Sequence, residues 1–316
     1  MKLQQLRFLV EVVDTGLNVT LASERLFTSQ PGVSKQIRLL EEELGVEIFE
    51  RAGKRFIGLT RAGVAVTEAA RRVLLEAENL RRVGAEFSDE AAGTLTVATT
   101  HTQARYVLPR IVAEFTKNYP RVRLTIRAVS PGQVADMVAR GDAEVGMATE
   151  SLLSSEHLLS LPAYSWTHKV VVPDGHALLQ EKNLTLQALT RYPLITYDPA
   201  FSGRSRIDEA FARAGIEPNL ILTAVDSDVI KTYVAMELGV GILAAPAFDA
   251  ERDKGLSVLE AGHLFGVQTT RVALRRGVQP RRFTLDFLAL LSPQLTPEAI
   301  TAAGRDGGGD GDDYSI

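Results

Sequence analysis

The 316-residue chain contains no cysteine. That absence excludes structural disulfides, thiolate nucleophiles, cysteine-based zinc sites and thiol redox sensing together. Methionine occurs four times and tryptophan once, at position 166. The five histidines (His101, His157, His168, His176 and His263) show no HExxH or comparable metal-ligand spacing. G-x-S-x-G elbows and P-loops are missing too, so an enzyme reading has no nucleophile–base pair to stand on. The expectation is no enzyme, no cofactor and no metal.

Long apolar runs are also missing: no stretch approaches the ~18 residues of a spanning helix. The opening MKLQQLRFLVEVVD places Arg7 and Glu11 inside its apolar pattern, unlike a secretory signal. The expected setting is soluble and cytoplasmic. Neither charge sign dominates, the net value being −4; a nucleic-acid footprint, if present, must be local. What remains, 45% hydrophobic and 23% charged residues, is the make-up of a globular chain with room for roughly two or three domains.

Three short helices open the chain. Leu6, Leu9, Val10 and Val13 follow the spacing of one buried helix face. Asn18 is placed to cap a second helix, with Val19, Ala22 and Leu26 inward. The third is TSQPGVSKQIRLLEEELG: Thr28 or Ser29 caps it, Pro31 falls in the first turn, and Gly45 stops it. Val33, Ile37, Leu40 and Leu44 form its apolar stripe. Gln30, Ser34, Lys35 and Arg38 then look outward, with Glu41, Glu42 and Glu43 crowding the far end. Acids there oppose the helix dipole. Donors and cations at the N-terminal half, acids at the C-terminal half, suit a helix entering a DNA groove by its first turns. A merely solvated face is the alternative.

Two neighbours favour DNA. IFERAGKRFIGLT reads as a hairpin with Arg51, Lys54 and Arg55 at its tip, a basic wing able to reach phosphates. After Thr60 a long helix repeats Val66, Ala70, Val73, Ala77 and Leu80 with coiled-coil spacing. Residues 1–65 resemble the winged helix-turn-helix of the LysR-type transcriptional regulators, through SQPGVSKQIRLLEEELGVEIFER. The resemblance implies DNA contacts at Ser29, Gln30, Pro31, Val33, Ser34, Lys35 and Arg38, wing contacts at Arg51 and Lys54, and a dimerisation role for the long helix. It also implies double-stranded DNA half-sites as partner, a homotetramer, and contact with RNA polymerase.

From Gly93 strands and helices alternate, the pattern of parallel sheets with covering helices. Two such sets joined through the 161–170 and 265–270 regions would make two α/β subdomains with a cleft between them. The expected organisation is a winged helix-turn-helix over 1–60, a linker helix over 61–90 and an effector domain over 91–303. Subdomain I takes 91–163 and 268–303, subdomain II 164–267, and 304–316 form a disordered Gly/Asp-rich tail. The fold class is therefore α/β with an N-terminal all-α winged helix-turn-helix, the effector part being periplasmic-binding-protein-like.

Within that part, ATTHTQAR follows a strand and opens a helix, offering hydroxyls, an amide and free backbone N–H groups to an anion. Ordinary threonine capping is the bland alternative. Thr149 in MATE, Ser202 in AFSGRS and Trp166 in AYSW fall at further strand ends facing the cleft. THTQARYVLP, YPLITY…GRS and DSDVIKTYV…LGVGI are similar to the CysB-like branch of the LysR family, which governs sulfur assimilation. That similarity implies an effector site of Thr100, Thr102, Gln103, Thr149, Trp166 and Ser202. It implies an anionic effector (sulfate, thiosulfate, O-acetylserine or N-acetylserine) and a cysteine-biosynthesis regulon. A sulfonate or taurine regulon sensing adenosine phosphosulfate fits the same segments. A small-anion binding protein that ignores DNA is the remaining rival.

Overall fold

The computed structural model describes residues 1–53, 55–88, 92–149, 151–153, 155–201 and 203–305. The chain divides into two compact units, Met1–Ser88 and 89–316.

In the first unit, α1 (Leu3–Asp14), α2 (Val19–Arg25) and α3 (Gln30–Leu44) precede a hairpin of β1 (Phe49–Ala52) and β2 (Arg55–Leu59), and α4 (Arg61–Ser88) follows. Asn18 caps α2 by accepting from the Leu21 amide at 3.1 Å. Ser29 caps α3, and Gly45 ends it in the left-handed region. Leu6, Leu9, Val12, Ala22, Val33, Ile37, Leu40, Ile48 and Phe49 make one core. Two expectations for α3 fail. Leu44 is exposed, because the chain turns away at Gly45 before the stripe completes. Glu41 is buried rather than outward: its Oε1 accepts from the amides of Ile48 at 2.9 Å and Phe49 at 3.3 Å. The acid that opposes the helix dipole thus satisfies two strand amides, which would otherwise be buried without partners.

Gly63 lies in the first turn of α4, where a Cβ would meet the Ile48 carbonyl oxygen at 1.9 Å. Only glycine allows α4 to pass that close to the strand entry. On α4, Ala70 is buried whereas Val73 and Leu80 are exposed, Leu80 at 74%.

The second unit contains, in chain order, β3 (Ala92–Thr99), a π-helical turn (Gln103–Val107), α5 (Leu108–Asn118), β4 (Arg121–Ala128), α6 (Pro131–Arg140) and β5 (Val145–Ala148). Next come the long β6 (Leu158–Pro173), α7 (Leu186–Leu189), β7 (Leu194–Tyr197), α8 (Arg204–Ala214), β8 (Leu220–Ala224), α9 (Ser227–Ala235) and β9 (Val240–Ala244). β10 (Leu256–Glu260), α10 (Gly262–Phe265), β11 (Val267–Arg275), α11 (Arg282–Leu291) and α12 (Pro297–Arg305) complete it. The strand order is β4-β3-β5-β11-β6-β9-β7-β8, with β10 also on β6. Pairs within each flank (β3 with β4 and β5, β7 with β8 and β9) are parallel, as alternation with helices requires.

The centre departs from the expected all-parallel pattern. β6 pairs antiparallel with β11 over Leu158–Thr167, then with β9 over His168–Val171 and with β10 over Lys169–Pro173. One continuous strand changes partners at residue 167/168 and so belongs to both halves of the sheet. The cores follow this division. Leu95, Phe115, Met147 and Phe287 lie in one cluster; Val170, Leu189, Phe211 and Phe265 lie in another. α12 was not expected, and it includes Gly304 and Arg305, the first two residues of the anticipated tail. Residues 306–316 of that tail lie outside the described residues.

Candidate functional site

Two regions concentrate the side chains singled out by sequence. In the first unit, the N-terminal turns of α3 expose Ser29, Gln30, Pro31, Ser34, Lys35 and Arg38 on one surface. Ser29 Oγ accepts from the Gly32 amide at 3.3 Å. Gln30 Nε2 donates to Thr20 Oγ1 at 2.7 Å, binding the start of α3 to α2. Among the described residues neither Lys35 nor Arg38 has a carboxylate partner, so both cations are uncompensated. Val33 does not belong with them: it is fully buried, because the residues that hold α3 on the core alternate with those facing out.

The wing is tied down. Arg51 pairs with the Glu41 carboxylate and lies 5.4 Å from the centre of the Phe56 ring, which stacks on Phe49 at 4.3 Å. Lys54 lies outside the described residues. A helix-turn-helix with an exposed cationic first half and a two-stranded wing has the parts needed to enter a groove and reach its phosphates.

In the second unit, the segment after β3 meets residues from the other half of the sheet. Thr100, Thr102, Gln103 and Trp166 line one cavity together with Tyr164, Tyr197, Phe201 and Ala244. Its interior volume is about 10 Å³, on the scale of one water. Thr100 Oγ1 donates to Gln103 Oε1 at 2.6 Å; Gln103 Nε2 donates to Thr270 Oγ1 at 3.2 Å. Trp166 Nε1 reaches the same Thr270 oxygen at 3.0 Å. Trp166 is not at a strand end as anticipated. It sits in the middle of β6 opposite Gln268, and faces the cavity because β6 is the strand shared by both halves.

Thr149 follows the end of β5, and its hydroxyl, like that of Thr99 at the end of β3, is buried without a hydrogen-bond partner. Thr149 does not line the cavity. Ser202 lies outside the described residues.

Sequence reasoning missed three contributors. Thr270, on β11, is the common acceptor for Gln103 and Trp166. Tyr164 lines the cavity; burial pushes the pKa of its hydroxyl up to about 12, with contacts to Thr270 and Gln103 opposing the rise. Tyr197 ends β7; its hydroxyl accepts from the Ala244 amide at 3.0 Å and is 2.7 Å from Ser227 Oγ. Burial raises its pKa, and its contacts, one of them with the Thr102 hydroxyl, counter the rise. The signal for Tyr197 was present in PLITY, a strand end of a parallel flank. Thr270 gave none, since its partners are 167 and 104 residues distant.

Beneath Trp166 lies His168, fully buried, with its ring centre 5.0 Å from that of Trp166 and 5.5 Å from that of Phe265. Burial pushes its imidazole down to about 4, with the Gly203 backbone opposing. Neither ring nitrogen has a partner in ordinary hydrogen-bond geometry. Gly203, at φ +82°, packs so close that a Cβ would stand 2.6 Å from Nε2.

A winged helix-turn-helix unit followed by an α/β unit with a cavity at its sheet crossover defines a DNA-binding regulator equipped with a small-molecule domain. Residues 3–64 match the bacterial regulatory helix-turn-helix protein, lysR family, and residues 88–296 match the LysR substrate binding domain. The chain belongs to the LysR family and is a transcriptional regulator, not an enzyme. It is 49% identical over 306 residues to the HTH-type transcriptional regulator SsuR of Burkholderia cenocepacia, covering 97% of this chain and 99% of that one. It is 50% identical over 303 residues to the HTH-type transcriptional regulator CysB of the same organism, covering 96% and 97%. Among solved structures, the cofactor-binding domain of the Cbl transcriptional regulator superposes with a TM-score of 0.66 at 40% identity, over 69% of this chain and 95% of that one. No helix among the described residues is long and apolar enough to cross a membrane.

Proposed function

We propose that the chain regulates genes of sulfur assimilation and cysteine biosynthesis, binding promoter half-sites as a homotetramer and responding to a small anion. Sulfate, thiosulfate, O-acetylserine and N-acetylserine are the effectors with suitable chemistry. The observation that carries the anion reading is the donor set at the cavity. Thr100, Thr102, Gln103, Tyr164 and Trp166 bring hydroxyl, amide and indole groups to one small space, and none carries a charge.

On the DNA side, Ser29, Gln30, Pro31, Ser34, Lys35 and Arg38 supply the reading face, and Lys54 a further wing contact. Arg51 contributes only what its pairing with Glu41 leaves free. RNA polymerase is the further macromolecular partner, and the cytoplasm is the compartment this function requires. In domain terms, 1–60 read DNA, 61–90 pair protomers, and the two lobes of 91–303 bind the effector.

A sulfonate regulon is the second reading, favoured by the near-equal identity to SsuR and to CysB. The lone Trp166 supplies the test. Its fluorescence, with the melting temperature, is followed in the full chain against sulfate, thiosulfate, O-acetylserine, N-acetylserine, taurine and adenosine phosphosulfate. Saturable responses to the acetylserines or small sulfur oxyanions support the cysteine reading. A response restricted to the nucleotide or a sulfonate moves the protein to the second, and silence across the panel defeats the anion site.

A further inference from the structure

Beside the cavity, a polar cluster joins the two halves of the second unit. Tyr106 lies in the π-helical turn that also holds the cavity residues Gln103 and Val107. Its hydroxyl donates to Asp228 Oδ1 at 2.6 Å and accepts from Lys231 Nζ at 2.9 Å. The neighbouring Arg105 Nε stands 2.5 Å from Asp228 Oδ2. Asp228 and Lys231 belong to α9, in the other half. Lys231 is anchored there by Asp253 at 2.8 and 3.0 Å and by the Ala247 carbonyl at 2.9 Å. Its ammonium lies 4.9 Å from the centre of the Tyr106 ring, and that ring packs against the core of Ile195, Ile230 and Leu243.

The cavity's walls come from the same two bodies. Thr100, Thr102 and Gln103 form one side; Tyr197, Phe201 and Ala244 form the other. The cavity is small, about 10 Å³, so walls that move apart make room for a multi-atom anion. The cluster ties those walls together one helical turn away. The linkage is short at both ends: Gln103 and Tyr106 share the π turn, while Ser227, which touches the Tyr197 hydroxyl, opens the helix that carries Asp228 and Lys231. Isolated π turns are irregularities commonly retained at functional sites, and resetting one to α-helical register rotates the residues within it.

Resting on the anion reading above, we propose that Tyr106, Asp228 and Lys231 form a clasp that opposes widening of the cavity. Ligand entry works against this clasp, and its release changes the angle between the halves of the unit. Tyr106 and Asp228 are positioning residues in this account; neither touches the ligand. An equilibrium held by a few such bonds is set at the scale a small ligand can overturn.

The test uses full-length Tyr106→Phe, which keeps the ring and removes its hydroxyl, and Asp228→Asn, which leaves an acceptor but removes the charge. Sulfate and N-acetylserine are titrated by Trp166 fluorescence. Footprints are taken with and without each ligand on a DNA site that the wild-type protein selects from a random pool. Tyr106→Phe is expected to bind the ligands about fivefold more tightly, the effect of one hydrogen bond of ordinary strength. Its ligand-free footprint is expected to resemble the liganded wild-type footprint. General loosening of the fold would weaken binding instead, so the direction separates clasp from scaffold. Wild-type affinities together with an unchanged ligand-free footprint in Tyr106→Phe overturn the clasp. Should the wild-type protein respond to neither ligand, the anion reading falls by itself. The clasp is then decided by the ligand-free footprint alone, where a shift supports it and no shift overturns it. If Tyr106→Phe does not fold, Asp228→Asn carries the same readouts.

Discussion

Trp166 and Gln103 share one acceptor: the indole N–H and the amide N–H both end on the Thr270 hydroxyl oxygen, at 3.0 and 3.2 Å. This three-way contact fixes the ring and the amide that flank the cavity. Thr270→Val preserves the side-chain shape and leaves two buried donors without a partner. A loss of about 2–6 kcal/mol in stability is expected, from about 1–3 kcal/mol per orphaned donor, together with at least tenfold weaker anion binding and a changed tryptophan emission. Chemical denaturation and a fluorescence titration measure the three effects; a variant as stable and as tightly binding as the parent would remove Thr270 from the site.

On α3, Lys35→Ala and Arg38→Ala are each expected to weaken DNA binding. Where the contact is to phosphate, the slope of log K against log salt should fall by about one. Fluorescence anisotropy at several salt concentrations measures both quantities. Unchanged affinity and slope in both variants would make this face a solvated surface.

Glu41 makes a different prediction, because its two backbone contacts are buried. Glu41→Ala leaves the Ile48 and Phe49 amides unpaired and should destabilise the first unit by roughly 2–6 kcal/mol, from a penalty of about 1–3 kcal/mol per orphaned group. Glu41→Gln keeps an acceptor and should lose less. Equal losses in thermal unfolding would assign the effect to the Arg51 ion pair rather than to the amides.

Gly63→Ala places a methyl 1.9 Å from the Ile48 oxygen. Backbone cannot yield as a flexible side chain does, so a loss of at least ~1–3 kcal/mol is expected, with DNA binding reduced in parallel. A circular-dichroism melt matching that of the parent would contradict the close approach.

His168 sets a pH dependence. Its pKa is near 4 in the folded chain against 6.5 unfolded, so above pH 6.5 both states are neutral and it contributes nothing. As pH falls from 6.5 towards 4 the unfolded chain takes up the proton and the folded chain does not, so stability is lost across that window. The loss approaches about 3 kcal/mol at its lower end. Unfolding free energies of wild type and His168→Phe between pH 4 and 7 isolate it: the difference between them should change with pH, and parallel curves would show that the imidazole is not the group responsible.

Much of this was legible in the chain. The caps at Asn18 and Ser29, the stop at Gly45 and the hairpin around Gly53 are local devices, written within a few residues of where they act. The alternation of strands and helices likewise announced the parallel flanks. The burial of Glu41 has no local signal, because its partners, seven and eight residues away, come within reach only when the chain turns at Gly45. Leu44 shows the same limit: periodicity places residues on a face but does not say where the neighbouring element stops covering it. Val33, which periodicity put on the apolar stripe, is buried as that stripe requires; only the resemblance had placed it among the DNA contacts.

The sequence by itself determined the helix-turn-helix, the sign segregation along α3, the absence of thiol chemistry and the presence of donors around Thr100. These follow from local propensity and residue chemistry, which need no distant contact. Tertiary structure alone decided that β6 serves both halves of the sheet and that Thr270 joins Gln103 to Trp166. It alone brings Tyr106 across to Asp228 and Lys231, residues 122 and 125 positions away. Such contacts depend on where crossing strands bring separate segments together, and no local pattern in the chain encodes that register.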